Sequence, residues 1–296
     1  MRVAILGCGY VGLELGRQLR DVHDVIGVRR SDAGVAAVED AGLTAVQADV
    51  TDPTALSAVP DADALVFAAS SGGRGPEAAR AVYVEGLQTV IDTFGARTEP
   101  PERLVYASST GVYGDHGGEW VDEATPLDPQ TEKTRVLARA ERVAREQAAE
   151  TGIDGTVVRL AGLYGPDRYR LERYLEGPVT EGYLNVIHRA DAAGAIRHLL
   201  TENLARDEVV LAVDDEPVSK WAFADWLAAA CDRPEPPKQT KAQRLAADDL
   251  STAAQRRIQT SKRCSNEKLH GLGYEFDYPT YREGYQDAVD TYRRTA

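Results

Sequence analysis

Cysteine is nearly missing from this chain: Cys8, Cys231 and Cys264 are the only three in 296 residues. Odd in number and widely spaced, they form neither a disulfide framework nor a metal-ligand set. The five histidines are scattered and make no H-E-x-x-H cluster, so no metal is expected. Lysine is scarce too, with six among 34 basic residues. Against 47 acidic residues this leaves a net charge of −13. That is the wrong sign for nonspecific nucleic-acid binding, which requires a basic face. An acidic, lysine-poor surface suits a salt-rich medium, although GC-rich coding produces a similar arginine bias. No apolar run approaches the roughly 20 residues needed to span a bilayer. No secretory leader is expected either, because the first strand starts at residue 2. These absences predict a cytoplasmic protein without a membrane or nucleic-acid partner.

What is present is a sizeable apolar fraction, 43% of the chain, and a telling first segment. Residues 2–20, RVAILGCGYVGLELGRQLR, read as a buried apolar strand, a glycine turn and an amphipathic helix. Gly7, Gly9 and Gly12 supply the G-x-G-x-x-G spacing. Lacking a Cβ, Gly7 takes the tight turn, Gly9 admits a pyrophosphate and Gly12 lets the helix pack on the strand. Gly16 would allow still closer helix–sheet contact. The helix start, with Tyr10 and Val11, points amides and a positive dipole end at the phosphates. Any tight strand–helix turn can mimic the glycine pattern; here the flanking strand and helix are both present.

Further apolar runs at 25–28, 44–48, 64–68, 103–107 and 155–159 alternate with helical spacing at 33–41 and 77–94. Such alternation predicts an α/β fold, a Rossmann-type doubly wound parallel sheet with helices on both faces. Functional residues then belong just after the strands. After the second strand stand Arg29, Arg30 and Ser31, where NAD-specific domains carry an acid. An arginine fork and a hydroxyl suit a 2′-phosphate and favour NADP over NAD; a solvated basic turn is the plainer alternative. After the third strand, Asp49 and Val50 stand where an adenine contact or a helix start would serve equally. After the fourth, Ala68, Ala69 and Ser70, then Gly72 and Gly73, leave room for a cofactor against the sheet edge. Ser109 follows the fifth strand among hydroxyls placed to bind a substrate oxygen or simply to form a turn.

The segments GCGYVG at 7–12, YASSTGVYGD at 106–115, VVRLAGLYGPDR at 157–168, NVIHRADAAGAIRHLL at 185–200 and SKRCSNEKLHGLGYEFDYPTYREGY at 261–285 occur in this order. The chain resembles an atypical extended short-chain dehydrogenase/reductase of the NAD-dependent epimerase/dehydratase family. The resemblance implies that Ser109 hydrogen-bonds the reacting oxygen, that the substrate is sugar-like or nucleotide-sugar-like, and that helices 77–94 and 130–149 could form a homodimer. It also exposes a departure. The family's catalytic Tyr-x-x-x-Lys pair is absent, and Thr131 and Arg135 stand in its two places. Four residues apart, they would share a helix face. Arg135 could hold the nicotinamide ribose, but an aliphatic hydroxyl is too weak an acid to replace tyrosine. Tyr113, Tyr164 and His188 remain proton-transfer candidates, each with a structural alternative.

The C-terminal part is expected to build the substrate side. The arginines of DRYRLERY at 167–174 would clamp a phosphate or carboxylate or line an exposed helix. A strand returns to the sheet within 201–216, a helix covers 220–230, and a charged helix covers 239–258. The expected organisation is a cofactor domain over 1–165, completed by about 184–216, with a small substrate-side subdomain from 166–183 and 217–296. The expected activity is NAD(P)-dependent oxidoreduction or epimerisation of a small polar substrate. The alternatives are a noncatalytic NADP-binding sensor or regulator, and a nucleotide-sugar epimerase whose base has moved.

Overall fold

Apolar strands buried on both faces organise the chain. A computed structural model describes residues 1–71, 75–246 and 250–295. Its central sheet has seven parallel strands: β1 (Arg2–Leu6), β2 (Asp24–Arg29), β3 (Thr44–Gln47), β4 (Ala64–Phe67), β5 (Arg103–Ser109), β6 (Asp154–Leu160) and β7 (Val209–Ala212). They lie in the order β7-β6-β5-β4-β1-β2-β3. Chain progression therefore reverses between β1 and β4, the crevice where ligands of open α/β sheets bind. Each expected strand is present within one or two residues. The returning strand is the four-residue β7; its Ala212 carbonyl and that of Glu208 just before it accept from the Ala161 and Val157 amides.

The main helices are α1 (Tyr10–Leu19), α2 (Asp32–Asp40), α3 (76–95), α4 (132–150) and α5 (Arg189–Thr201). Leu87, Val90, Ile91 and Phe94 of α3 are fully buried in the core shared with Phe67 and Tyr106 of the sheet. Both α3 and α4 widen into π-helical stretches, at Ala81–Gly86 and Val143–Gln147, which the 3.6-residue periodicity did not announce.

The chain divides into two compact units. One comprises Met1–Val112, Glu132–Leu160 and Ala192–Val210; the other comprises Tyr113–Thr131, Ala161–Asp191 and Leu211–Ala296. Residues 113–131 lie inside the span expected for the first domain yet group with the second unit. The cause is local pairing: Trp120–Val121 forms a parallel ladder with Arg263–Cys264.

The second unit has an aromatic core rather than an extended sheet. Phe223 meets Tyr174, Tyr281 and Tyr285 edge-on at 4.8–5.2 Å, and Tyr164 stacks on Tyr285 at 4.9 Å. The helix Lys220–Ala230 lies where expected. The single charged helix expected over 239–258 is instead two, because two polar caps each start one. Thr240 and Gln243 form a capping box on Lys241–Leu245, and Ser251 caps Thr252–Gln259. The remainder of that expected helix, 247–249, lies outside the described residues, as do Gly72 and Gly73. Among the described residues no helix is long and apolar enough to cross a membrane.

Candidate dinucleotide site

The glycine turn leaves β1 at the switch point and meets the chain leaving β4. Gly7 has φ +82°, and a Cβ there would lie 2.2 Å from the Ala69 Cα. Position 7 thus needs glycine for both conformation and space. A Cβ on Gly12 would lie 2.9 Å from Ile5 Cγ2 of β1, the close helix–strand approach the motif predicts. At Gly16 the close neighbour is Leu43, whose Cδ1 would lie 2.4 Å from a Cβ. The contact there is made by the residue just before β3. Gly9 caps α1 without any side-chain hydrogen bond, so the first-turn amides are not closed off by a polar side chain. Tyr10 and Val11 begin the helix, with Val11 buried.

Arg29, the last residue of β2, folds back over this turn. Its Nη1 donates to the Cys8 carbonyl at 3.0 Å, and a Cβ on Gly9 would lie 2.7 Å from the same nitrogen. The guanidinium also lies against the first turn of α2, 2.6 Å from a Cβ built on Gly34. Ser31 caps α2 by accepting from the Gly34 amide at 3.3 Å. Arg30 is exposed and pairs with Asp49 at 3.7 Å. No carboxylate ends β2; the nearest in sequence, Asp32, accepts from Gln47 Nε2 at 2.8 Å.

Asp49 forms a local turn, accepting from the Thr51 amide at 3.0 Å and hydroxyl at 2.8 Å. Partial burial opposes its ionisation, but these bonds and Arg30 hold its carboxyl below the usual range. Val50 is buried and packs on Gly86 of α3, so its side chain belongs to the core. Ala68 and Ala69 are half-buried beside the glycine turn. Burial pushes the Cys8 thiol up to about 12, against the opposing charges of Arg29 and Arg17, which leaves it an inert member of the loop.

Ser109 ends β5, and its Oγ accepts from the Gly111 amide at 3.1 Å. A Cβ on Gly111 would lie 3.4 Å from that oxygen and 3.7 Å from Thr134 Cγ2. The start of α4 therefore packs beside the end of β5. Its first helical residue is Glu132, so Thr131 lies just before the helix. Arg135, exposed, lies at the fourth helical position.

Sequence reasoning placed the neighbouring Ser108 only among the hydroxyls after the fifth strand and missed its buried partners. Its hydroxyl donates to Glu141 Oε1 at 2.6 Å, and Arg159 clamps the same carboxylate with contacts of 2.8–3.2 Å. All three are buried. One signal was available: Arg159 interrupts an apolar strand, and a buried arginine requires a carboxylate.

In the second unit the three proton-transfer candidates are built into structure. The Tyr113 hydroxyl donates to the Asp122 carbonyl at 2.7 Å. His188 Nδ1 lies 3.3 Å from the Ala190 amide, with its ring against Tyr164 and Tyr278. Burial, then Asp214 and other neighbours, pushes the Tyr164 hydroxyl far above the phenol range. Arg168 and Arg170 precede a short helix, Leu171–Glu176, and Arg173 lies within it.

Residues 3–231 match the family model described as the NAD dependent epimerase/dehydratase family. The chain belongs to that family. Among solved structures, a candidate NAD-dependent epimerase/dehydratase from Methylobacillus flagellatus is 29% identical, over 99% of this chain and 98% of its own, with TM-score 0.74. DesIV, the dTDP-glucose 4,6-dehydratase of Streptomyces venezuelae solved with NAD and TYD, is 20% identical over 99% and 97%, TM-score 0.79. The human epimerase family protein SDR39U1, solved with NADPH, is 19% identical over 98% and 99%, TM-score 0.76. At these identities the last two establish the fold alone. No match was found among curated proteins. Family membership and the switch-point turn together make this a nicotinamide-dinucleotide protein of the epimerase/dehydratase type.

Proposed function

We propose that this protein binds NADP in preference to NAD and serves as an oxidoreductase or epimerase for a small polar substrate of sugar or nucleotide-sugar kind. One observation carries the cofactor choice: the Arg29 guanidinium lies over the glycine turn and against the start of α2. The residues fit the group, because Gly9 starts α1 with no side-chain cap and the arginines at the end of β2 lie beside that turn. Gly7, Gly9 and Gly12, with Tyr10 and Val11, would hold the pyrophosphate through backbone amides. Arg29, Arg30 and Ser31 would hold the 2′-phosphate by charge-assisted hydrogen bonds. Asp49, Val50, Ala68 and Ala69 would border the cofactor along the sheet edge. Relatives of this fold were solved with NADPH in one case and NAD in another, so the choice rests on this chain's own arginines.

When bound, the nicotinamide supplies hydride transfer. The chain's part is orientation. Ser109 would donate a hydrogen bond from its hydroxyl to the substrate oxygen while its Oγ accepts from the Gly111 amide. Arg135, permanently charged, would hold ribose hydroxyls. Thr131 would contribute a hydrogen bond but no proton transfer near neutral pH.

A second reading is a noncatalytic NADP-binding sensor. It is favoured by the missing Tyr-x-x-x-Lys pair and by the structural engagement of Tyr113, Tyr164 and His188. Both readings meet one experiment: dissociation constants for NADPH and NADH, followed by turnover across carbonyl and sugar-nucleotide substrates. NADPH is expected to bind more tightly, and Arg29→Asp is expected to shift preference toward NADH. A wild-type preference for NADH removes the role given to Arg29 and Arg30. Tight NADPH binding without turnover across the panel selects the sensor.

A further inference from the structure

Five of this chain's six lysines lie in the second unit, and three of them, Lys220, Lys241 and Lys262, bear on one place. Lys220 begins the helix Lys220–Ala230 behind its Ser219 cap. It is half-buried, and among the described residues no carboxylate lies within ion-pair distance of it. The charges that bear on it are three further cations: Arg173, Lys241 and Lys262. Burial first, and then these like charges, push its ammonium below the usual lysine range. Such convergence of cations is unfavourable unless a counter-ion completes it.

The surroundings form an oxyanion cradle with one carboxylate at its rim, Glu181, which accepts from the Lys241 amide at 2.7 Å, while the Lys241 ammonium donates to the Gln259 carbonyl at 2.6 Å. A Cβ on Gly182 would lie 3.3 Å from Lys220 Nζ and 3.6 Å from Ser261 Oγ. Ammonium and hydroxyl thus converge over one bare stretch of backbone. Ser261 is 5% exposed, and its Oγ accepts from the Tyr183 amide at 3.2 Å, which leaves its O–H to donate. Lys262 is buried and has a single carbonyl partner, Gly114 O at 3.3 Å. The acid that bears on it, Asp115, accepts from the Gly117 and Ser261 amides. The helix N-terminus adds its positive end.

We infer that Lys220, Lys241, Lys262 and Ser261 form an anion-binding site for a multiply charged oxyanion, a phosphate ester or a polycarboxylate. The site stands on the second unit's own residues and is independent of the cofactor assignment. Thermal stability of the full chain measured with inorganic phosphate, with citrate, or with chloride at matched ionic strength distinguishes the two sources. Phosphate or citrate is expected to raise the melting temperature beyond chloride. Lys220→Met and Lys241→Gln are each expected to weaken that anion's binding by roughly tenfold or more, the scale of a lost charge-assisted hydrogen bond. Without anion, Lys220→Met should be at least as stable as the parent, because a repelled charge is gone. Lys238→Met is the control: its ammonium is already paired with Asp225 and Glu235, and it should leave anion binding unchanged. The proposal is overturned if neither anion stabilises the parent beyond chloride, if the two site variants bind as the parent does, or if Lys238→Met weakens binding equally.

Discussion

At the residue scale, two positions have consequences out of proportion to their size. Gly7 combines a left-handed backbone with a 2.2 Å approach to Ala69. Gly7→Ala is expected to destabilise by at least about 1–2 kcal/mol from the backbone alone, with dinucleotide binding lost as the turn shifts. Urea unfolding and a cofactor titration check this, and a variant of parental stability would contradict it. Asp214 is the second. It is 1% exposed, and neither carboxyl oxygen has a hydrogen-bond partner of normal geometry. Burial, reinforced by Asp215, Glu216 and Asp191 and only partly opposed by the Glu216 amide, raises its carboxyl to about 9. The folded chain therefore keeps a proton that the unfolded chain releases near pH 4. Between about pH 4 and 9 this group lowers stability as pH rises, at up to about 1.4 kcal/mol per unit. Asp214→Asn should flatten that slope; an unchanged profile from pH 5 to 9 would place the effect elsewhere.

At the element scale, the end of β5 is tied to α4 and β6 by Ser108, Glu141 and Arg159. Removing one partner leaves a buried charge uncompensated. Glu141→Ala should cost about 3–5 kcal/mol, read as a lowered denaturation midpoint, while Ser108→Ala should cost about 1 kcal/mol. Equal and small losses would mean the pair is hydrated in solution. Because Ser109 belongs to the same strand end, Glu141→Ala should also impair any activity that depends on it. Periodicity alone located α3 and α4, since their apolar residues recur at helical spacing. It did not reveal their π-helical stretches, which depend on hydrogen-bond register rather than on residue type.

At the scale of the whole molecule, the excess of acid dominates. With a net charge of −13 the folded chain repels itself, and salt relieves this as the screening length falls from about 10 Å at 0.1 M to about 3 Å at 1 M. The melting temperature is expected to rise with sodium chloride over that range; a flat or falling curve would show that paired surface charges already offset the repulsion.

The positions of the strands along the chain, the glycine turn and the arginines at the end of β2 were legible in the sequence because each rests on local rules. Buried strands need apolar runs, a tight turn needs glycine, and strand ends carry the ligand groups. Tertiary structure alone decided which distant residues share a place. It folded Arg29 back onto the Cys8 carbonyl, put Glu141 under Ser108, buried Asp214 among other acids, and gathered cations from positions 173, 220, 241 and 262. Contacts across tens of residues depend on how elements pack, and no pattern along the chain records that packing.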